Sequence, residues 1–173
     1  MPSNVEIKAR LRDRGRVERL VSERADYGPE LIVQEDVFFP CASGRLKLRR
    51  FSETSGELIY YRRLDTEEPT ESEFQKAPTG DPGAMASTMR AALGEIGVVR
   101  KHRTLYLIGQ TRIHLDEVEG LGDWLELEVV LEDGQTAEDG AGVARDLMVM
   151  LSIVEDDLEA RAYFDLLTTK ERP

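Results

Sequence analysis

With 173 residues the chain is long enough to bury one sizeable core and short for two, so a single domain over residues 1–173 is expected. Its 40% hydrophobic and 33% charged residues describe a globular rather than a disordered composition. Acidic residues number 34 against 23 basic ones, a net charge of −11 that argues against non-specific binding to nucleic acid or an anionic membrane but leaves room for a local basic site.

Residues 4–11 alternate, with Val5, Ile7, Ala9 and Leu11 on one face and Asn4, Glu6, Lys8 and Arg10 on the other, the period of a strand. A short helix over 14–25 follows, with Val17, Leu20, Val21 and Ala25 at helical spacing, and the cluster Asp26-Tyr27-Gly28-Pro29 ends it. Three alternating runs at 31–39, 45–51 and 57–64, separated by Ala42-Ser43-Gly44 and Thr54-Ser55-Gly56, read as an antiparallel meander. The stretch 65–83, rich in Glu, Pro and Thr, fits either a mobile loop or a short edge strand at 72–76. An Ala- and Met-rich helix at 84–93 closes at Gly94, after which runs at 98–107, 110–115 and 124–131 restore the strand pattern. Helices at 136–151 and 158–167 complete the elements.

The longest apolar run, 147–154, is broken by Ser152 and falls far short of the roughly 18–20 residues of a membrane span. The N-terminal residues lack both a basic region and an apolar stretch, and Cys41 has no second cysteine to pair with, so a reducing cytoplasm is the expected setting.

Most strands pair an apolar face with one that carries ionised groups. Glu6 shares a face with Lys8, Arg45 with Lys47 and Arg49, and Glu126 with Glu128. Tyr60 falls in phase with Arg62, Lys101 with Arg103, and Arg112 with His114 and Asp116. Strand by strand, an open sheet with its charged face in water accounts for the pattern. About eight twisted strands tend to close, however, and closure with the helices outside turns the charges into a polar tunnel. Like charges packed inside need water or a ligand that neutralises both signs. A divalent cation with a polyphosphate does both, because carboxylates offer hard oxygen ligands and Arg and Lys donate to phosphate oxygens.

Four runs, Val5-Glu6-Ile7-Lys8, Gly44-Arg45-Leu46-Lys47-Leu48-Arg49-Arg50, Gly109-Gln110-Thr111-Arg112-Ile113-His114-Leu115-Asp116 and Leu125-Glu126-Leu127-Glu128, resemble the CYTH, or triphosphate tunnel metalloenzyme, family. The 112–116 run and the following Gly120-Leu121-Gly122 look most like its class IV adenylyl cyclase branch. The resemblance implies an α+β fold, a closed or nearly closed antiparallel β-barrel of about eight strands with flanking helices, and a substrate bearing a triphosphate. It implies Mg²⁺ or Mn²⁺ held by Glu6, Glu126 and Glu128, and phosphates clamped by Lys47, Arg49, Arg62, Lys101, Arg103 and Arg112. Lys8 and Asp116 are the expected catalytic groups, Asp116 either completing the metal shell or taking a proton from the attacking hydroxyl. The family's Glu-x-Glu-x-Lys strand begins here with Asn4, an amide that can still coordinate but brings one negative charge fewer.

The activity this implies is conversion of ATP to cyclic AMP and pyrophosphate. Hydrolysis of tripolyphosphate or thiamine triphosphate uses the same clamp, and a polyphosphate- or nucleotide-binding module without turnover is the third reading. A homodimer is implied only by the cyclase branch. Two histidines and one cysteine make no zinc constellation. Neither a Gly-x-Ser-x-Gly elbow nor a phosphate-binding Gly-rich loop is present, and no aromatic platform for nucleic acid is visible.

Overall fold

The computed structural model describes residues 3–63 and 70–170. Strands β1 (Ser3–Arg10), β2 (Tyr27–Phe39), β3 (Arg45–Arg50), β4 (Gly56–Arg63), β5 (Thr70–Thr79), β6 (Gly97–Ile108), β7 (Thr111–Val118) and β8 (Gly122–Val130) form a closed barrel in the order β1-β5-β4-β3-β2-β6-β7-β8. Every pairing is antiparallel. The stretch whose nature the sequence left open contains β5, which pairs with both β4 and β1 and so closes the ring. Closure satisfies the backbone groups that an open sheet leaves at its edges.

Helices α1 (Arg14–Ser22) and α3 (Ala137–Leu151) pack on the outer faces of β1, β7 and β8 through residues such as Val5, Val21, Ile113, Leu127, Ala144 and Leu151. A Cβ on Gly140 would lie 2.6 Å from Leu131 Cδ2 and 2.8 Å from Val5 Cγ2, so only glycine lets α3 approach this closely. Thr136 and Asp139 cap α3 reciprocally, and Asp81 caps α2 (Pro82–Leu93), whose Ala86 packs on Val37, Phe39 and Leu48. These apolar residues lie outside the barrel wall, which leaves the charged positions of each strand to face inward.

Two elements differ from the sequence reading. The Asp26-Tyr27-Gly28-Pro29 cluster enters β2, with a register shift against β6 between Tyr27 and Glu30, and α1 has already ended at Ser22. Gly28 has φ +109°, and a Cβ there would meet Leu105 O at 2.6 Å, so glycine permits strand continuation where its sequence context suggests a stop. The last helix, α4, runs Tyr163–Lys170 rather than 158–167. Leu158 bridges Ala9 and the Glu159 amide donates to Lys8 O at 2.9 Å, so tertiary pairing holds the preceding residues extended. Among the described residues no helix is long and apolar enough to cross a membrane.

Candidate active site

The inner wall encloses a cavity of about 290 Å³. On one side β1 and β8 bring carboxylates together, with Glu6 directly opposite Glu128 and Lys8 opposite Glu126. Opposed like charges in a sheet destabilise unless something neutralises them. Glu128 accepts a hydrogen bond from Asn4 Nδ2 and lies 3.4 Å from Arg112 Nη1. Glu126 receives Arg103 Nη2 at 2.6 Å and has Lys8 Nζ at 3.8 Å. Burial pushes both glutamates up, but Lys101 and Arg103 outweigh it at Glu126, and His114 and Arg112 at Glu128, so both stay ionised.

The remaining wall carries two basic clusters, each gripped by a buried aspartate. Asp36 on β2 takes Arg49 Nε and Nη2 at 2.8 Å each and Lys47 Nζ at 2.9 Å. Asp116 on β7 takes Arg103 Nε and Nη2 at 2.7 Å each, Lys101 Nζ at 3.2 Å and the Tyr163 hydroxyl at 3.1 Å. Burial raises each aspartate, but the Arg–Lys pair beside each one outweighs it and holds the carboxyl low. Burial and Arg49 lower the Lys47 ammonium to about 7 despite Asp36, whereas Asp116 overcomes burial to raise Arg103. Burial and then Asp116 push the Tyr163 phenol well above its ordinary value, so it stays protonated.

Glu6, Lys8, Lys47, Arg49, Lys101, Arg103, Arg112, Glu126 and Glu128 all line this cavity. Arg62 does not: it is exposed, one residue out of phase with the inward Tyr61, because the strand's period of two puts it on the outer face with Tyr60. Asp116 is fully buried, and its oxygens accept from Arg103, Lys101 and the Tyr163 hydroxyl, so it anchors the two cations beside the cavity.

Asp36 and Tyr163 were missed. Asp36 had a signal, a lone acid in phase with Gln34 and Phe38 inside an apolar run, whereas Tyr163 arrives from a distant helix and had none. Lys76 lines the cavity from β5, its Nζ 4.0 Å from Glu57 Oε2 and 5.2 Å from the Phe74 ring centroid.

A divalent cation has a matching donor set here. Among the described residues no three His, Cys, Asp or Glu side chains enclose an ion as they stand. Two buried atoms beside Glu126 and Glu128 nevertheless lack a hydrogen-bond partner, Asn4 Oδ1 and His114 Nδ1. The His114 nitrogens stand 3.9 and 3.8 Å from the two carboxylates, beyond hydrogen-bond range. Buried polar atoms left unpaired mark a place for an ion or water, and the oxygen-rich set of Glu6, Glu126 and Glu128 suits Mg²⁺ or Mn²⁺. Replacing Asn4 by glutamate is expected to raise Mn²⁺ affinity about tenfold, roughly 1.4 kcal/mol for one added charged donor. Without metal the same variant should melt at a lower temperature than wild type, since a third carboxylate then faces Glu6 and Glu128; calorimetric titration and melting in chelator measure the two effects. Unchanged Mn²⁺ affinity would count against Asn4 as a ligand position.

The CYTH domain family pattern matches residues 3–163. The chain is 26% identical over 171 residues to the adenylate cyclase CyaB of Aeromonas hydrophila, covering 92% of this chain and 85% of that protein. The PH1012 protein of Pyrococcus horikoshii OT3 superposes with a TM-score of 0.82 at 27% identity, over 94% of this chain and 98% of its own. The Hippeastrum protein HpAC1, whose dominant activity is described as that of a triphosphatase, matches with a TM-score of 0.68 at 18% identity, over 98% of this chain and 97% of its own, a likeness of fold. A family pattern spanning nearly the whole barrel, together with this divided wall of acids and bases, places the chain in the CYTH domain family.

Proposed function

We propose that the protein is a divalent-metal-dependent enzyme that converts ATP to cyclic AMP and pyrophosphate inside the barrel. The observation that carries this reading is the divided wall, where two anchored Arg–Lys clusters face the Glu6–Glu128 pair across one cavity. Arg49 and Arg103 each commit Nε and Nη2 to an aspartate, with Arg103 Nη2 shared with Glu126, which fixes the guanidinium plane and leaves Nη1 for phosphate oxygens. Glu6, Glu126 and Glu128 would hold the cation, which supplies charge neutralisation at the phosphates. The basic clusters stabilise the charge that builds on the leaving pyrophosphate as the ribose hydroxyl oxygen bonds to the α-phosphorus, its proton passes to water in the cavity and the bridging P–O bond breaks. Apolar lining from Phe51, Ile59, Tyr61 and Phe74 gives the organic part of a nucleotide a surface to cover, and the similarity to CyaB supports the same choice.

Triphosphate hydrolysis is the second reading, favoured by the Hippeastrum relative, whose similar fold carries a triphosphatase activity. Product analysis separates the two: incubation with ATP and Mg²⁺ or Mn²⁺ is expected to yield cyclic AMP and pyrophosphate. Orthophosphate from ATP, tripolyphosphate or thiamine triphosphate, without cyclic AMP, would make the protein a hydrolase.

Two further results follow from the placement of the cations. Arg49→Ala is expected to lower kcat/KM about 10²-fold, as loss of one positioned transition-state donor does, whereas Arg62→Ala on the outer face should behave as wild type in the same assay. Lys47, lowered to about 7 with Asp36, Arg49 and Lys101 around it, loses its proton as pH rises through that value. The clamp then loses a positive charge, so KM for ATP is expected to climb on the alkaline side. Lys47→Arg, charged throughout, should remove that part of the rise; a KM profile identical to wild type would contradict the role given to Lys47.

A further inference from the structure

We infer that Tyr163 is a positioning residue of the proposed reaction, its ring and hydroxyl holding Lys8, Lys101 and Asp116 in one arrangement at the end of the cavity that α4 covers. The inference rests on the triphosphate reading above. Three charged groups of the site meet this one side chain. Its hydroxyl lies 3.1 Å from Asp116 Oδ2, Lys8 Nζ is 4.4 Å from the ring centroid and Lys101 Nζ is 5.0 Å from it. The ring is itself fixed, buried and edge-on to Trp124 with centroids 5.8 Å apart.

Lysine side chains turn about four bonds, and like charges in a shared cavity drive them apart. Here each ammonium has two or more fixed points. Lys8 Nζ donates to Arg161 O at 2.9 Å and faces Glu126, Lys101 Nζ donates to Asp116, and both share the π-face attraction of Tyr163. The segment carrying the tyrosine is pinned to the wall by the Leu158–Ala9 bridge, by the Glu159 amide on Lys8 O and by Arg45 Nη1 at 2.8 Å from Asp165. Residues 158–165 therefore finish the charged end of the site, and the family pattern stops at Tyr163 itself.

Attraction between a triphosphate and two ammonium groups survives small displacements, but stabilisation of the transition state needs them in place to a fraction of an ångström. Steady-state kinetics with ATP and Mn²⁺ on the full chain therefore test the inference. Tyr163→Leu, which removes ring and hydroxyl, is expected to lower kcat about tenfold with KM within about threefold of wild type. Tyr163→Phe, which keeps the ring, should recover most of the loss. A Tyr163→Leu enzyme with wild-type kcat, or with a loss confined to KM, overturns the inference. If Tyr163→Leu does not fold, NMR of the lysine ε-methylene protons decides: ring-current upfield shifts of Lys8 and Lys101 in wild type and in Tyr163→Phe, kept when inorganic tripolyphosphate is added, support it, and unshifted signals overturn it. Failure of the wild type to turn over any triphosphate overturns the functional reading and this inference together; turnover with an unaffected Tyr163→Leu overturns this inference alone.

Discussion

Glu128→Gln is expected to lower metal-dependent turnover by about 10²-fold or more, the scale on which removal of one electrostatic contact to a developing charge is felt. Glutamine preserves the shape of the side chain and its contact with Asn4 but removes the charge that faces Glu6 across the β1–β8 pair. The cations around Glu128 outweigh both burial and the facing Glu6 and hold its carboxyl below the ordinary value, so the metal-free variant should lose a little stability at pH 7. A large fall in activity beside a small fall in stability separates a ligand from a structural residue. Steady-state kinetics with Mn²⁺ and thermal melting in chelator measure the two, and a variant as active as wild type would remove Glu128 from the site.

Asp116→Asn carries the largest expected loss of stability, about 3–5 kcal/mol against about 1 kcal/mol for an ordinary substitution. Asparagine leaves the Arg103 and Lys101 cations buried without the charge that neutralises them, turns one of the two acceptor oxygens into a donor that faces them, and leaves Glu126 to balance both. The carboxyl of Asp116 lies below its unfolded value of about 3.9. Its contribution is therefore fully present above that value and is lost as pH falls through the lowered folded one. Wild-type stability should decline on acidification below about pH 4, and the decline should be shallower in Asp116→Asn. Urea denaturation at pH 7 and across the acid range tests both statements. Equal stability of variant and wild type at pH 7 would show that the cluster is solvated rather than buried.

The barrel was legible because its signal is local and repeated. A strand with one face against helices and one against a polar interior writes both faces into its alternation, and the phases of β1, β3, β6, β7 and β8 put Glu6, Lys8, Lys47, Arg49, Lys101, Arg103, Arg112, Glu126 and Glu128 on the cavity side. Arg62 falls on the other side. The same alternation that aligned it with Tyr60 could not say which face of β4 was inside, because Tyr61, Ile59 and Glu57 on the opposite face are no more apolar. β5 was obscure for a related reason, since its two neighbours, β4 and β1, are what make a strand of a polar segment. Asp116 was identified as a site residue but not as an anchor, because a carboxylate's role depends on what already occupies its oxygens. The register that sets Asp116 opposite Arg103 and Asp36 opposite Arg49 is a property of strand pairing, not of either strand alone. Tyr163 depends on where α4 docks, which no periodicity records.

The divided wall is the centre of the account, and calorimetric titration of inorganic tripolyphosphate tests it most directly. With Mn²⁺ present, wild type is expected to bind at least about tenfold more tightly than in chelator, a gain of roughly 1.4 kcal/mol from neutralising the acidic side that would otherwise repel the phosphates. Arg49→Ala should weaken binding in both conditions, and Glu128→Gln should abolish the gain from metal. Binding that is indifferent to Mn²⁺ and to both substitutions would place the anion outside the barrel and contradict the account.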